Sequence, residues 1–354
     1  MRKPSQITLS DIASRLNVSK VTVSKALRDH PDIAPETKQR IRQLAEELAY
    51  TPNSAARNLS TRRTHTIGLV VPKIAHFFFS SIIESVYDTA FENNYEIILT
   101  VSQEDVAREI KHLKTLLSMR VDGLLISVSQ QTQDTAIFEL VKKKGVPLVF
   151  FDRVIEGLGC STVTVDDREG AALLVEQAIA AGYTKIAHLA GFSHVNIGRE
   201  RCAGFIAALQ KHQLPVREDW IINGGFSEDY GYNGLQQLQQ ANNLPEIIVA
   251  VTYPVALGVY AAAKDLGLKI PHDLDLVSFG DSTTNRFISP SLTCVGQPTE
   301  KLGRRAVEIL LEEIKNPAPS RPQQVVLQTE LRLRETCRPK IFNTEKTEQT
   351  EITK

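Results

Sequence analysis

The stretch TLSDIASRLNVSKVTVSKAL, residues 8–27, decides the fold of the N-terminal part of this chain. Its first half has apolar residues at helical spacing, and Thr8 with Asp11 three residues later matches the pattern of a capping box. The helical pattern stops at Asn17, a residue type that tolerates the left-handed backbone of a tight turn. Ser19 is then placed to cap a second helix. The stretch therefore predicts two short helices joined by a turn of about three residues.

A third helix completes a small bundle. Pro35-Glu36 opens it, with proline at the first helical position. Two short helices braced by a third are typical of a helix-turn-helix, whose second helix, here Lys20–Arg28, can enter the major groove of DNA. Its polar face, with one outward valine, suits base edges and phosphates. That face comprises Lys20, Val21, Thr22, Ser24, Lys25 and Arg28. A basic three-helix bundle that binds another protein is the alternative that periodicity leaves open.

The segment YTPNSAARNL, residues 50–59, follows the bundle and is small and polar. It is too short to form a stable helix alone in water. It carries Leu59 close to Arg57, Arg62 and Arg63. An apolar side chain next to arginines is typical of proteins that open a base step from the minor groove. A plain linker, with Leu59 packed on a neighbour, is the alternative.

Formal charge is divided unevenly along the 354 residues. The whole chain has 41 Lys and Arg against 41 Asp and Glu, yet residues 1–66 carry +6 and the rest −6. The length predicts two or three domains. The content of 42% hydrophobic and 23% charged residues excludes collagen-like and wholly disordered classes. The sequence thus predicts a small basic head on a larger acidic body.

From Thr66 onward, short apolar runs alternate with amphipathic segments, which is typical of parallel sheets covered by helices on both faces. Two series of runs predict two lobes, with a ligand crevice at the carboxyl ends of the strands. The first series is Ile67–Val71, Glu96–Val101, Gly123–Ile126 and Leu148–Phe151, with helices over 80–93, 105–118 and 133–143. The second series is Thr162–Val165, Lys185–Leu189, Trp220–Ile222, Ile247–Val251 and Leu274–Phe279.

The head strongly resembles that of the lactose/galactose-repressor family of transcriptional regulators. The matching runs are 8–13, 18–27, 35–38, 48–53 and 56–59, and the resemblance extends from residue 6 to about 338. It implies that Lys20, Val21 and Lys25 read bases, and that Ser10, Ser19, Thr22, Ser24 and Asn53 contact the groove or phosphates. It also implies a hinge helix with Ala56, Arg57 and Leu59, whose leucine enters the operator centre.

The resemblance implies an all-α helix-turn-helix head with a hinge helix, and an α/β periplasmic-binding-protein-like domain of two parallel-sheet lobes. The implied divisions are 1–52 for the head, 53–65 for the hinge and 66–338 for effector binding and dimerisation. Lobe 1 would hold 66–160 and 296–320, and lobe 2 would hold 161–295 and 321–338. Residues 339–354 are polar without periodicity and are expected to be a disordered tail.

Seven residues are candidates for effector binding on the same resemblance: Phe78, Phe79, Asp152, Arg201, Phe226, Tyr253 and Asp281. Carboxylates, a guanidinium and aromatic faces suit a polyhydroxylated ligand, and Arg201 would equally suit a sugar acid or sugar phosphate. Many relatives have Asn-Asp where this chain has Thr252-Tyr253. The alternatives are core packing for the phenylalanines, which follow the first strand in an expected loop, and a structural salt bridge for Asp152-Arg153.

Other motifs are given structural roles. Asp166-Asp167 is interpreted as a helix cap and a solvated neighbour, and Ser193-His194 lacks a nucleophile elbow. No phosphate loop, HExxH or dinucleotide fingerprint occurs, so we expect no cofactor, no metal site and no enzyme activity. The scattered Cys160, Cys202, Cys294 and Cys337 are expected to be buried thiols in a reducing compartment. With neither a signal peptide nor an apolar run of membrane length, we expect a cytoplasmic protein that contacts no membrane.

The sequence therefore predicts a ligand-responsive repressor of carbohydrate-utilisation genes. It would bind a pseudo-palindromic operator as a homodimer or higher oligomer, and a small-molecule effector would control it through the hinge. A solute-binding protein for transport is one alternative, which the basic head disfavours. A sugar-metabolising enzyme with a regulatory head is the other.

Overall fold

The computed structural model describes residues 7–50, 63–75, 77–316 and 321–339, and the chain divides into two units, 1–64 and 65–354. The first unit holds three helices in its described part: α1 (Leu9–Leu16), α2 (Lys20–Leu27) and α3 (Pro35–Glu47). Their core is formed by fully buried side chains, namely Ile12, Val23, Ala26 and Ile41. Helices too short to be stable alone are thus held by packing against one another.

The capping residues of the first unit behave as the sequence predicts. The backbone N–H and the hydroxyl of Thr8 both donate to Asp11 Oδ2, each at 2.7 Å. Asn17 has the left-handed backbone, with φ at 50°. The hydroxyl of Ser19 accepts from the backbone N–H of Thr22 at 3.0 Å and so caps α2. These local contacts fix the turn between α1 and α2.

The second unit begins with a six-stranded sheet in which all strands are parallel, in the order β11-β5-β4-β3-β1-β2. Its strands are β1 (Thr66–Val71), β2 (Glu96–Val101), β3 (Gly123–Ile126), β4 (Leu148–Phe151), β5 (Ser161–Val165) and β11 (Gln324–Leu327). Its helices are α4 (Phe77–Glu92), α5 (Val106–Ser118), α6 (Ala136–Lys143) and α11 (Thr299–Lys315). The sheet is buried on both faces, since Ile67 and Val70 of β1 belong to different apolar clusters.

A second six-stranded sheet has the order β12-β10-β9-β8-β6-β7 and is parallel except for the antiparallel pair β10–β12. Its strands are β6 (Ile186–Ala190), β7 (Ile221–Asn223), β8 (Ile247–Ala250), β9 (Asp275–Phe279), β10 (Thr293–Gly296) and β12 (Glu330–Arg332). The helices around it are α7 (Asp167–Ala180), α8 (Asn196–Lys211), α9 (Glu228–Gln240) and α10 (Tyr253–Asp265). The two sheets with their helices form two lobes, called lobe 1 and lobe 2 below.

Two predicted lobe assignments are wrong. The run at 161–165 was assigned to lobe 2, but β5 pairs with β4 and β11 in the lobe 1 sheet. Residues 324–327 were also assigned to lobe 2, yet β11 pairs with β5, and only β12 joins the lobe 2 sheet. The chain therefore crosses between the lobes after β5, after β10 and after β11. Strand alternation reveals where strands occur, but it carries no information about which distant strand each one pairs with.

None of the described helices is long and apolar enough to cross a membrane. The predicted tail, 339–354, lies outside the described residues except for its first residue.

Candidate functional site

A cleft between lobe 1 and lobe 2 has a volume of about 280 Å³ and lies at the carboxyl ends of the strands. This is the place where parallel sheets receive ligands. All seven residues predicted for effector binding line this one cleft. They come from both lobes: Phe78, Phe79 and Asp152 from lobe 1, and Arg201, Phe226, Tyr253 and Asp281 from lobe 2.

Arg201 is the most constrained of these side chains. On α8, it donates from Nε to Asp167 Oδ1 at 2.8 Å and from Nη1 to the carbonyl oxygen of Val251 at 2.7 Å. Its guanidinium also lies 3.7 Å from the ring centroid of Phe279. Nη2 also lies 2.7 Å from Asp167 Oδ1, so each nitrogen has one protein contact and the guanidinium is held in a fixed orientation. Three of its five N–H groups are thereby engaged, and the second N–H of each Nη remains to offer.

The partner of Arg201 was interpreted incorrectly from the sequence. Asp166 caps α7 as expected, accepting from the backbone N–H of Glu169 at 3.0 Å. Asp167, however, is buried rather than solvated. Burial raises the pKa of Asp167 to about 6, although the guanidinium of Arg201 acts in the opposite direction. Adjacent acids at the start of a helix give no local signal of an arginine 34 residues away.

Asp152 and Arg153 do not form the salt bridge that was the alternative interpretation. Arg153 Nη1 instead pairs with Glu104 Oε1 at 2.9 Å, and its guanidinium lies 4.9 Å from the ring centroid of Phe226. Asp152 has a left-handed backbone, with φ at 58°, and burial raises the pKa of its carboxyl group. Sequence reasoning missed Glu104 and left Arg153 out of the site, although both line the cleft. The position of Glu104 in the turn that follows β2 was the available signal, because that end of the strand faces the cleft.

Phe77, Phe78 and Phe79 lie in the first turn of α4 and not in a loop. The phenylalanines after β1 therefore begin the helix earlier than the predicted start at residue 80. Phe79 is buried in the main apolar cluster and Phe78 packs against it, edge to face with a centroid separation of 5.1 Å. Both residues line the cleft and also pack in the core, so the core-packing interpretation and the ligand-contact interpretation are compatible.

Tyr253 and Asp281 bring polar groups to the lobe 2 side of the cleft. The phenol oxygen of Tyr253 lies 3.2 Å from Thr284 Oγ1. Asp281 Oδ2 accepts from Arg334 Nη2 at 2.7 Å and from Arg332 Nη1 at 2.8 Å. Burial alone would raise the pKa of Asp281, but these hydrogen bonds lower it to about 2. Asp281 is therefore an acceptor that is ionised near neutral pH and is already engaged by two arginines.

The rim of the cleft is bridged by hydrogen bonds between the lobes. His194 Nε2 lies 2.7 Å from the carbonyl oxygen of Gln130. The side chain of Asn196 donates to the carbonyl oxygen of Asp152 at 2.9 Å and accepts from the backbone N–H of Val154 at 3.1 Å. His194, which drew attention as a neighbour of Ser193, thus contributes to lobe contact in this structure.

The side chains predicted to read DNA project from α2 of the first unit. Lys20 and Val21 are exposed, with Val21 at 64%, whereas Val23 on the same helix is fully buried. Ser10, Thr22, Ser24 and Lys25 are partly exposed, and Ser19 is an exposed cap. Lys25 Nζ lies 2.8 Å from Asp32 Oδ2. Asn53, Ala56, Arg57 and Leu59 lie outside the described residues.

In the described part of the chain, no group of three or more His, Cys, Asp or Glu side chains is arranged to hold a metal ion. All four cysteines are free thiols, of which Cys294 and Cys337 are buried. Cys160 and Cys202 are only half-buried, which corrects the expectation that all four would be buried.

Comparison with known proteins matches both units to families. Residues 8–53 match the bacterial regulatory proteins of the lacI family, and residues 175–337 match a periplasmic binding protein-like domain. Catabolite control protein A of Priestia megaterium is 30% identical over 305 residues, which are 86% of this chain and 91% of that protein. The chain belongs to the lacI family of bacterial regulatory proteins.

Solved structures agree with this lacI-family membership. The lac repressor dimer bound to operator and the anti-inducer ONPF has a TM-score of 0.83 at 25% identity, covering 94% of this chain and 100% of that one. The transcriptional regulator CelR in complex with cellobiose has a TM-score of 0.72 at 26% identity, with the same coverage. The predicted helix-turn-helix head and two-lobed body are confirmed, and the chain is a DNA-binding transcriptional regulator.

Proposed function

We propose that this lacI-family regulator is a cytoplasmic repressor of carbohydrate-utilisation genes whose effector is a small polyhydroxylated molecule bound in the interlobe cleft. A sugar, a sugar acid or a sugar phosphate would meet this description. One observation carries the proposal: the seven residues that the family resemblance assigns to effector binding line a single cleft between the lobes. Among the relatives, one structure holds cellobiose, and the lac repressor binds its operator as a dimer.

The lining of the cleft suits hydroxyl groups on a compact apolar skeleton. Arg201 supplies oriented N–H donors, and Asp152 and Tyr253 supply oxygen atoms. Phe78 and Phe226 supply aromatic faces for C–H surfaces. The volume of about 280 Å³ lies near the lower end of small-molecule pockets, roughly 300–1,000 Å³, which favours a small ligand.

DNA binding is assigned to residues 1–52, with 53–65 as the hinge and 66–338 as the effector-binding and dimerisation domain. Two copies of α2 would lie in successive major grooves of a pseudo-palindromic operator. Lys20, Val21 and Lys25 would contact base edges. Lys25 would give up its ion pair with Asp32 when it binds DNA. Leu59 of the hinge would enter the minor groove at the operator centre. Effector binding would change the operator affinity by favouring one lobe arrangement over another.

Operator binding with a panel of sugars and sugar acids tests this function in the full-length chain. An operator duplex is first selected from random DNA and then titrated by fluorescence anisotropy. We expect one ligand class to change the dissociation constant of wild type by about 5-fold or more. Arg201→Ala should bind the operator but lose that response, because the cleft loses its oriented donor. Arg201→Lys serves as a second variant in case the alanine variant folds poorly.

Arg168→Ala is the matched control, since Arg168 is exposed on α7 in the same lobe. It should respond to the ligand as wild type does. A normal response in both Arg201 variants would contradict the cleft assignment. Binding of the ligand without any change in operator affinity would instead favour a solute-binding module.

A further inference from the structure

A second pocket of about 590 Å³ adjoins the cleft where the chain crosses from lobe 2 into α11. Four cations line it, Arg286, Lys301, Arg332 and Arg334, against two acids, Asp281 and Glu300. The pocket therefore carries a net charge of +2, whereas the protein outside residues 1–66 carries −6. A local excess of positive charge within an acidic body favours an anionic ligand group.

Two of the four cations have no ion-pair partner within the described residues. Arg332 and Arg334 are paired with Asp281, at 2.8 and 2.7 Å. Arg286 is exposed and lies over the ring of Phe287 at 4.7 Å, and Lys301 is exposed in the first turn of α11. Neither of them contacts a carboxylate within ion-pair distance in the part of the chain that the structure describes. They are available to an incoming anion.

Hydrogen-bond donors without acceptors point the same way. Gln297 Nε2 is buried without a hydrogen-bond partner, and Gln297 lines both the pocket and the cleft. The 17-residue helix α11 begins at the pocket after Pro298, and no side chain caps its first turn. The backbone N–H of Thr299 donates to the carbonyl oxygen of Gln297 at 2.9 Å, whereas those of Glu300 and Lys301 lie in the first turn, where the helix itself supplies no acceptor and an anion is favoured. A tetrahedral anion with several acceptor oxygens fits these donors.

The pocket and the cleft share a wall formed by Phe77, Phe78, Asp281, Ser282 and Gln297. A ligand with a sugar in the cleft would therefore lie next to the pocket, with only these shared side chains between the two cavities. We propose that the effector is a sugar phosphate, with its sugar in the cleft and its phosphate in the basic pocket against Arg286 and Lys301. This inference rests on the proposed function and narrows its ligand class to one member.

Inorganic phosphate is the first probe. Titrated calorimetrically into the full-length protein at constant ionic strength, it should bind wild type with a millimolar dissociation constant. The double variant Arg286→Gln, Lys301→Gln should bind it at least 10-fold more weakly. Lys315→Gln removes one positive charge at the far end of α11 and should match wild type. Equal phosphate binding by all three proteins, or none by wild type, would overturn the proposal.

The second experiment compares the affinity of the protein for each of several hexoses with its affinity for the corresponding hexose 6-phosphate. At least one phosphorylated sugar should bind wild type 10-fold or more tightly than its parent sugar, and the double variant should lose that gain. Binding of inorganic phosphate without a gain for any phosphorylated sugar would show a separate anion site and reject the joined ligand. Arg201→Ala should lose the sugar contribution but retain phosphate binding. Failure of the cleft assignment is thereby distinguishable from failure of the phosphate site.

Discussion

Arg201, Arg153 and Asp281 reach the cleft as charged side chains, and each is held by a partner of opposite charge. The partners are Asp167, Glu104 and the pair Arg332 and Arg334. Leaving one member of a buried pair without its partner costs about 3–5 kcal/mol, so the pairs keep each other in place. At the scale of single residues, the cleft is therefore preorganised to present charge to a ligand.

Asp281→Asn tests this arrangement through the dependence of stability on pH. Asp281 has a pKa of about 2 in the folded protein, below its ordinary value of 3.8. The contribution of ionised Asp281 to the free energy of unfolding is therefore fully present above about pH 4 and is lost as the pH falls from 4 towards 2. We expect the variant to lose about 2 kcal/mol of unfolding free energy at pH 7, measured by urea unfolding without ligand.

The difference in unfolding free energy between wild type and the Asp281→Asn variant should become smaller as the pH is lowered to 3. Asp88→Asn, on the exposed face of α4, is the matched control and should leave stability unchanged at both pH values. A difference that stays constant from pH 7 to pH 3 would contradict the charged pairing.

Individual residues also mark where sequence reasoning succeeded. Arg201 and Asp281 were placed among the effector-binding residues because the family resemblance assigns that role to their positions. The pairing of Glu104 with Arg153 and that of Asp167 with Arg201 were missed, because both join residues distant in sequence. Local pattern predicts which side chains reach a site better than it predicts what holds them there.

The helix α2 is the element whose two faces were predicted most completely. Its period separates Val21, which is 64% exposed, from Val23, which is fully buried, although the two residues are identical and two positions apart. A pair of alanine substitutions therefore separates recognition from packing on one element.

Val21→Ala should weaken binding to the selected operator by roughly 5-fold through loss of an apolar base contact. It should leave hydrogen exchange in the head at the wild-type rate. Val23→Ala removes buried side-chain volume at a cost of about 2 kcal/mol. It should speed exchange of the α1–α3 amides in the full-length chain by roughly 30-fold. Hydrogen-exchange mass spectrometry and anisotropy measure both effects, and equal effects of the two variants would contradict the assignment of the faces.

The strands show what the sequence could not predict. Their positions follow from short apolar runs, because parallel strands are buried on both faces. Their assignment to a lobe does not, and β5 and β11 were both placed in the wrong one. Each of these strands finds its partner across a long loop or a change of lobe, so pairing is a property of the whole fold.

At the scale of the whole molecule, the charge distribution separates the DNA-binding head from the ligand-binding body, and the connections between the lobes lie beside the ligand cavities. The basic head carries +6 and is suited to DNA, while the acidic body carries −6. Among the described residues, three crossings join the lobes, and Gln297 lies at one of them, between β10 and α11, beside both ligand cavities. A ligand in the cleft would therefore contact both lobes and, at Gln297, one of the segments that connect them. Ligand binding can thus shift the equilibrium between two arrangements of the lobes.

The central claim is that one ligand in the cleft and one operator at the head share a coupling free energy. Thermodynamic linkage makes that coupling reciprocal. The measurement is the effector dissociation constant of the full-length protein, determined by calorimetry first free and then bound to a saturating operator duplex. The account predicts that the two constants differ by the same factor, about 5-fold or more, by which the effector changes operator affinity. Equal effector affinity in the free and operator-bound protein would contradict it.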